Sequence, residues 1–142
     1  MALKMRFLYY SKQAKMKALG EAIKQEFDLS QNHNAVDIIP PAYSCQKERL
    51  VILGISSKND IDDVLRRFCS ELNRERATNI ALVMDGNEAT SNKIMDTLKQ
   101  AGSNIIPDVQ YITCGLFKSK LTDEEKTKIL SWIHDIIDNK LV

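Results

Sequence analysis

The sequence predicts an α/β protein: a five-stranded parallel sheet of order 2-1-3-4-5 with helices on both faces, which makes a three-layer sandwich. Three observations indicate this fold. Short apolar runs alternate along the chain with amphipathic helical patterns, as in consecutive strand–helix–strand units. Polar turns separate the two kinds of segment. Right-handed crossovers between parallel strands then place the helices on both faces of one sheet.

The first strand–helix unit occupies Met5–Phe27. Met5–Tyr10 is a run of large apolar and aromatic residues and predicts a buried strand. A polar break, Ser11–Lys15, follows it. Apolar residues then recur at spacings of three and four and predict a helix with one buried face: Met16, Leu19, Ile23 and Phe27. Ligands of parallel α/β sheets bind beyond the carboxyl ends of the strands, so the polar break lies in the default position for a site.

The next two strands are joined by a short connection. Ala35–Ile39 is a strand candidate that Pro40 stops, because proline cannot donate a hydrogen bond to a ladder. Only Pro40–Glu48 links it to the following strand, Arg49–Leu53. A segment of that length spans about 30 Å when it is extended, enough to run back along one strand and over a neighbour. Gly54 is expected to close the strand.

The middle of the chain predicts two further helices around the fourth strand. A polar turn, Ile55–Asp60, offers N-cap side chains to a helix with this apolar stripe: Ile61, Val64, Leu65, Phe68 and Leu72. Asn79–Met84 is the fourth strand, and the dipeptide Asp85-Gly86 predicts the turn that ends it. A helix over Thr90–Gln100 follows, and Gly102 stands where a helix-terminating glycine belongs. Its buried residues are expected to be Ile94, Leu98 and Ala101.

The last part of the chain predicts an edge strand and a helix. Asn104–Thr113 is the last strand region, where Pro107 indicates an edge strand or a bulge. Thr122–Glu125 has the pattern of a capping box and predicts the start of the final helix. Trp132 is expected to pack beside the core face of that helix, which consists of isoleucines: Ile129, Ile133, Ile136 and Ile137.

The composition favours one ordinary globular domain. The chain has 142 residues, of which 44% are hydrophobic and 27% charged, and we expect a single domain over residues 1–142. The net charge of +1 provides no field that would attract nucleic acid or an anionic membrane. The N-terminal region lacks the pattern of a signal peptide, and no apolar run approaches the roughly 20 residues that span a bilayer. Three cysteines without a Cys-x-x-Cys pair favour the reduced cytoplasm.

In their order and spacing, these segments resemble the flavodoxin family over nearly the whole chain. Ser11–Met16 stands where flavodoxins have a Thr/Ser-x-Thr-Gly-x-Thr loop that holds the FMN phosphate. Leu19–Ile23 is similar to the family's Leu-Ala-Glu-Ala-Ile helix, and Arg49–Gly54 is similar to its third strand, which commonly ends in glycine. Cys114-Gly115, followed by Leu121–Glu125 and a helix with a tryptophan, resembles the C-terminal pattern of small flavodoxin-like proteins.

The resemblance implies a flavodoxin-like fold that binds FMN and exchanges electrons with a redox partner protein. It places the FMN phosphate in the first loop and the flavin ring between the loops after the third and fourth strands. The implied cofactor-binding residues are Ser11, Lys12, Gln13, Ala14, Lys15, Met16, Ser56, Ser57, Asp85 and Gly86. We expect an electron carrier rather than an enzyme, with no metal and no catalytic residue. We further expect a monomer or homodimer that binds neither nucleic acid nor membrane.

The phosphate loop departs from the family pattern. Only Ser11 keeps the family's residue type, because Gln13, Ala14 and Met16 stand in place of a hydroxyl, a glycine and a second hydroxyl. An alanine at the glycine position restricts the backbone and adds a Cβ where phosphate must approach closely. The loops after the third and fourth strands also lack an aromatic residue to stack on the ring. The sequence therefore predicts weak FMN binding at most.

Two hypotheses follow from this departure. In the first, Lys12, Lys15 and Lys17 surround a helix N-terminus, whose free N–H groups favour anions, and hold a phosphate loosely. The same lysines are also compatible with a solvated first turn that binds nothing, and the sequence favours this alternative slightly. In the second hypothesis, the chain is a flavin-free interaction module. Its docking patch would lie in the Phe117 region or on the proline-bearing edge strand.

Other kinds of site find little support. A phosphorelay receiver needs acidic residues after the first strand and an aspartate after the third, where this chain has Tyr10-Ser11 and Gly54-Ile55. Gly20 stands alone within a helix, so a dinucleotide fingerprint is absent. His33 and His134 lack metal-ligand spacing. Cys114 is expected to act as a small buried hydrophobic residue.

Overall fold

The structure, a computed structural model, describes residues 3–29, 36–38, 45, 47–57, 62–115 and 120–142. The predicted alternation of strands and helices is confirmed, with the last strand region divided in two. The elements are β1 (Met5–Tyr10), α1 (Ala14–Phe27), β2 (Val36–Ile38), β3 (Glu48–Ser57), α2 (Asp63–Glu71), β4 (Ala77–Gly86), α3 (Glu88–Ala101), β5 (Asn104–Ile105), β6 (Gln110–Tyr111) and α4 (Asp123–Asn139).

The strands form a parallel sheet in the order β2-β1-β3-β4-β5, which confirms the predicted order. β6 also pairs with β4, farther along the same edge than β5. Tyr10 at the end of β1 lies opposite Ile55 of β3, and Ser57 at the end of β3 lies opposite Gly86 of β4. The carboxyl ends of three neighbouring strands therefore meet at one edge of the sheet, where a ligand of this architecture is expected.

Two apolar layers cover the sheet, because successive strand residues point to opposite faces. The layer shared with α2 and α3 includes Leu8, Leu53, Leu65, Phe68, Leu82 and Leu98. The layer shared with α1 and α4 includes Phe7, Met16, Ile23, Ile52, Val83 and Ile133. The central strands are consequently buried on both faces, as the continuous apolar runs of the sequence indicate. The three-layer α/β sandwich is thus confirmed.

Gly54 does not close the third strand, so that prediction is wrong. β3 continues through Gly54 to Ser57. A Cβ at this position would lie 2.7 Å from the sulfur of Met16 and 2.8 Å from the ring of Phe7. The glycine is therefore required by the close packing of α1 on the sheet and not by a turn.

The turn predicted at Asp85-Gly86 is also wrong, because both residues belong to the end of β4. A Cβ on Gly86 would lie 2.2 Å from the carbonyl oxygen of Ser57 on the neighbouring strand. Ser56 and Ser57, predicted as a turn, likewise still pair with β4. The central ladder thus extends beyond its apolar part, and polar residues at its end replace the expected loops.

The helix ends follow the sequence signals in part. Thr122 forms the predicted capping box with Glu125 at the start of α4, and Asn87 caps α3. The N-cap of α2 is Asp62 and not a residue of the predicted turn Ile55–Asp60, because α2 begins only at Asp63. Gly102 ends α3 with a φ of 110°, in the left-handed region that favours glycine. No helix among the described residues is both long and apolar enough to cross a bilayer.

Parts of the predicted apolar stripes differ from the structure. Val64 is 50% exposed, because the buried stripe of α2 runs through Leu65, Phe68 and Cys69 instead. Ala101 and Ile137 are only partly buried at the margins of their helices. Some predicted residues lie outside the described ones and have no structural account: Ala35, Ile39, Pro40, Ile61, His33 and Phe117.

The edge strand is broken around Pro107, where the sequence predicts an edge strand or a bulge. Ile105 pairs with Ile80 and Gln110 pairs with Val83. Residues 106–109 of the edge therefore stand against only residues 81–82 of β4. The additional residues, within 106–109, do not pair with β4 and protrude from the edge of the sheet.

Candidate functional site

The carboxyl ends of β1, β3 and β4 bring together most of the residues that the sequence assigns to a cofactor. Ser56 lies opposite Asp85 on the adjacent strand. The hydroxyl oxygens of Ser11 and Ser56 are 2.7 Å apart and share a hydrogen bond. Residues that are 45 positions apart in the chain therefore meet at this edge because the strands are parallel and in register.

The loop between β1 and α1 prepares the start of the helix. Ser11 Oγ accepts a hydrogen bond from the Gln13 N–H at 3.1 Å. The Gln13 carbonyl accepts the N–H groups of Met16 and Lys17 at 3.1 and 3.3 Å. The Gln13 side chain makes no capping hydrogen bond. A helix leaves its first N–H groups without intrahelical acceptors. At the start of α1 the Ala14 N–H is such a group, and no capping side chain accepts it.

This N-terminus differs from the other three helix starts in the described residues. α2, α3 and α4 each receive a hydrogen bond from the side chain of the N-cap residue, which is Asp62, Asn87 or Thr122. The first turn of α1 contains no acidic residue, and Lys12 beside it is exposed. The α1 N-terminus thus combines uncapped N–H groups, the positive end of a helix dipole and a nearby ammonium group, a combination suited to an anion.

Lys15 takes no part in that arrangement. Its side chain is almost completely buried, and Nζ donates to the Thr113 carbonyl at 2.8 Å and contacts Glu125 Oε2 at 2.6 Å. Burial tends to raise the pKa of Glu125, but hydrogen bonds from Lys15 and Thr122 outweigh it and hold this pKa below its usual value. The ion pair fastens the start of α1 to the start of α4, so the expectation that Lys15 faces a phosphate is not met.

Met16 is also committed to the interior. Its side chain is fully buried in the layer between the sheet, α1 and α4, in the space that Gly54 leaves open. A side chain in this position cannot contact a ligand without leaving the core. Of the loop residues assigned by resemblance, Ser11, Lys12, Gln13 and Ala14 remain at the helix start, whereas the side chains of Lys15 and Met16 do not.

The end of β4 carries a buried carboxylate. Asp85 is 3% exposed, and its Oδ1 accepts the Cys114 N–H at 3.2 Å. Among the described residues its Oδ2 has no hydrogen-bond partner. Burial, reinforced by the neighbouring Asp85 charge, raises the pKa of Cys114 to about 12. Cys114 is therefore a buried, protonated thiol, as the sequence predicts, and is unsuited to act as a nucleophile.

Sequence reasoning overlooked a contact between Tyr10 and Asp62. The Tyr10 hydroxyl donates to Asp62 Oδ2, while Oδ1 of the same carboxylate accepts the Leu65 N–H at 2.8 Å. This hydrogen bond, with burial and the carboxylate charge, raises the pKa of Tyr10, and it lowers the pKa of Asp62. The contact places an aromatic ring at the end of β1, next to Ser11. The only signal in the sequence was that Tyr10 is the last residue of the apolar run Met5–Tyr10.

His134 does not contribute to the site. His134 Nε2 lies 2.6 Å from Glu26 Oε2, and its ring packs on Phe27 with the centroids 4.7 Å apart. This pair joins α1 and α4 at the surface. In the described parts of the chain no three potential metal ligands cluster.

Comparison with solved structures identifies proteins of the same fold. No protein-family model matches the sequence, and a search of curated proteins finds no match. Oxidised flavodoxin 2 from Bacillus cereus superposes with a TM-score of 0.71 at 14% identity, over 95% of this chain and 98% of that one. A short-chain flavodoxin associated with a bacterial microcompartment gives 0.70 at 10% identity, over 96% and 97% of the two chains. A flavodoxin from the domain Archaea gives 0.62 at 15% identity, over 94% and 96%. The chain thus has a flavodoxin-like fold.

Proposed function

We propose that this flavodoxin-like protein is an electron carrier that binds FMN weakly through the phosphate. The observation that carries the proposal is the uncapped N-terminus of α1, which lies directly after β1 at the edge where three strands end. Helix N-termini in this position bind phosphate groups in α/β proteins. The phosphate would occupy the place that Asp62, Asn87 and Thr122 take at the other helix starts.

The residues present fit the phosphate group of FMN. The Ala14 N–H and the helix dipole offer hydrogen bonds and positive potential. Ser11 supplies a hydroxyl, and the exposed ammonium group of Lys12 supplies charge without a fixed geometry. FMN, when bound, supplies the one- or two-electron chemistry, and the protein holds and orients it. A redox partner protein would complete the transfer.

Several contacts account for weak binding. The Ser11 hydroxyl already shares a hydrogen bond with Ser56 and accepts the Gln13 N–H. The nearly buried ammonium of Lys15 is engaged with Glu125, so it adds little to the attraction of an anion. In the proposed arrangement, the Ser57 and Gly86 backbones approach the flavin ring. Gly86 lies so close to the Ser57 carbonyl that a Cβ would not fit there. Because glycine has no side chain, its backbone is open to the ring.

The same contacts favour a second candidate function, a flavin-free interaction module. Two side chains near the phosphate position already have partners, because Ser11 shares a hydrogen bond with Ser56 and Lys15 pairs with Glu125. Such a protein would use the fold to present a docking surface. This function and the electron carrier differ in one measurable property, the affinity for FMN.

Titration with FMN and riboflavin tests the proposed function. The two molecules share the ring system, and only FMN has the phosphate. We expect flavin fluorescence to be quenched at micromolar to millimolar FMN, and riboflavin to bind less tightly. Lys12→Gln should lower the affinity for FMN and leave the affinity for riboflavin unchanged. The control Lys126→Gln, which removes an exposed lysine from α4, should change neither affinity. Absence of FMN binding at millimolar concentration would refute the electron-carrier function and leave the interaction module.

A further inference from the structure

A groove of about 600 Å³ follows the broken edge of the sheet. α3 lines one side with Glu88 and Met95, and the α4 side is lined by Trp132 and Asp135 together with Lys140. Residues 107–111 of the edge form the wall between them. The groove thus crosses from one apolar layer to the other, at the place where the sequence analysis located a possible docking patch.

Apolar side chains form part of the groove lining, and one of them, Trp132, carries an unsatisfied donor. Trp132 is 8% exposed, and its Nε1 has no hydrogen-bond partner among the described residues. Met95 and Val109 are partly buried against the core beside the groove. Buried polar groups in proteins are nearly always hydrogen-bonded, so an unpaired indole N–H indicates a missing acceptor. A ligand with a carbonyl group beside an apolar stem would satisfy both features.

The rim of the groove is acidic. Glu88, Asp108 and Asp135 carry carboxylates, against the single ammonium group of Lys140 among the described lining residues. Lys140 Nζ lies 2.7 Å from Asp108 Oδ2 and 3.5 Å from Asp135 Oδ2, so it bridges the two walls. The hydrogen bond with Asp108 raises the pKa of Lys140. One cation is therefore shared by two carboxylates, which leaves the groove with negative charge.

We propose that this groove binds an arginine side chain of a partner protein and that Lys140 holds the cationic position in the free protein. The arginine stem would pack on Trp132 and Met95, and its main-chain carbonyl would accept the indole N–H. The guanidinium group would displace Lys140 from Asp108 and Asp135, because its fork of donors matches carboxylates better than an ammonium group does. The displaced bridge lies at the surface, where such pairs contribute little to stability.

A partner strand added to the sheet edge does not explain the same features. Pro107 and the extra residues 106–109 interrupt the edge, as in proteins that protect such edges from further strand pairing. Insertion of a side chain needs no continuous edge. The inference goes beyond the electron-carrier function, since no groove residue belongs to the proposed FMN site and no flavin is needed.

Trp132 provides a specific reporter because it is the only tryptophan of the chain. The probe is N-acetyl-arginine amide, and the matched control is N-acetyl-citrulline amide, which has nearly the same shape without the charge. Binding to the flavin-free protein is followed through the indole N–H resonance and the tryptophan fluorescence. We expect the arginine probe to shift the indole resonance downfield and to bind about tenfold more tightly than the citrulline probe, a preference that salt weakens.

Variants of the rim provide the decisive test. Lys140→Ala should increase the affinity for the arginine probe severalfold, because it frees two carboxylates and removes a charge of the same sign as the guanidinium. Glu88→Gln should lower this affinity severalfold. Lys128→Ala, which removes an exposed lysine from the α4 surface, should have no effect. Circular dichroism confirms that each variant is folded. Equal binding of the two probes, no binding to the wild type or to Lys140→Ala, or weaker binding by folded Lys140→Ala would overturn the proposal. FMN affinity plays no part in these outcomes.

Discussion

Partial restoration of the phosphate loop tests the link between the first loop and FMN. The double change Gln13→Thr and Ala14→Gly introduces a hydroxyl that can donate to the phosphate, and it removes the Cβ at position 14. The hydroxyl adds a hydrogen bond worth about 0.5–1.5 kcal/mol, and the freed backbone N–H contributes a similar amount. A total of about 1–3 kcal/mol corresponds to FMN binding about 5- to 150-fold tighter.

The structure excludes a third change that the family pattern would suggest. Met16→Thr would place a small, polar side chain in the fully buried space beneath Gly54. The lost contacts and the new cavity should lower the free energy of unfolding by about 2–4 kcal/mol. We therefore expect the double variant to gain affinity at nearly unchanged stability, and the triple variant to lose stability.

Fluorescence titration measures the affinities, and urea denaturation measures the stabilities. Riboflavin is the internal control, because it lacks the phosphate and its affinity should not change. A folded double variant that binds FMN no better than the wild type would refute the role of the loop. An equal gain for riboflavin and FMN would show that the change acts on the ring and not on the phosphate.

Three further changes probe the framework around the site. Gly54→Ala should lower the free energy of unfolding by about 1–3 kcal/mol, because the new methyl group overlaps buried side chains. Glu125→Gln should lower it by about 1–3 kcal/mol, since the buried Lys15 ammonium loses its charged partner. Tyr10→Phe should lower it modestly near pH 7. That loss should shrink below about pH 4, the ordinary pKa of a carboxyl group, because the lowered pKa of Asp62 makes its contribution present above this pH and lost as pH falls. The raised pKa of Tyr10 means that its contribution is fully present below pH about 10 and is lost at higher pH.

Urea denaturation at several pH values measures all three effects. Adding Met16→Ala to Gly54→Ala should relieve the overlap. The double variant should therefore lose less free energy of unfolding than the sum of the losses in the two single variants. Glu124→Gln, at the exposed position next to Glu125, is the control for charge and should change stability by less than about 0.5 kcal/mol. A loss in Tyr10→Phe that is independent of pH, or a neutral Gly54→Ala, would contradict the contacts described here.

The alternation of strands and helices and the two apolar layers could be predicted because they depend on local periodicity, whereas the strand order was taken from the rules for doubly wound sheets. The runs Met5–Tyr10 and Asn79–Met84 are apolar at every position, which is the pattern of strands buried on both faces. The capping box at Thr122 and the terminator at Gly102 are local signals as well, and both are confirmed. These features need no knowledge of distant residues.

The errors concern residues whose environment is set by distant partners. Gly54 resembles a strand terminator locally, but its neighbours Phe7 and Met16 belong to other elements. Lys15 resembles a phosphate ligand, and its actual partner, Glu125, lies 110 positions later in the chain. No local pattern distinguishes these alternatives. The meeting of Ser11, Ser56 and Asp85 at one edge of the sheet followed from the strand order, whereas the direction of individual side chains was not predictable.

The Lys15–Glu125 pair has a consequence for the order of folding. The layer of α2 and α3 is built from elements that are close in sequence, so its loops close at low entropic cost. The layer of α1 and α4 needs the two helices farthest apart in the described chain. A nascent chain emerging from the ribosome therefore exposes the α1 side of its sheet until α4 has been synthesised. The start of α1 gains its ion pair with Glu125 only in this closing step, so the framework of the proposed anion site is complete only when folding is complete.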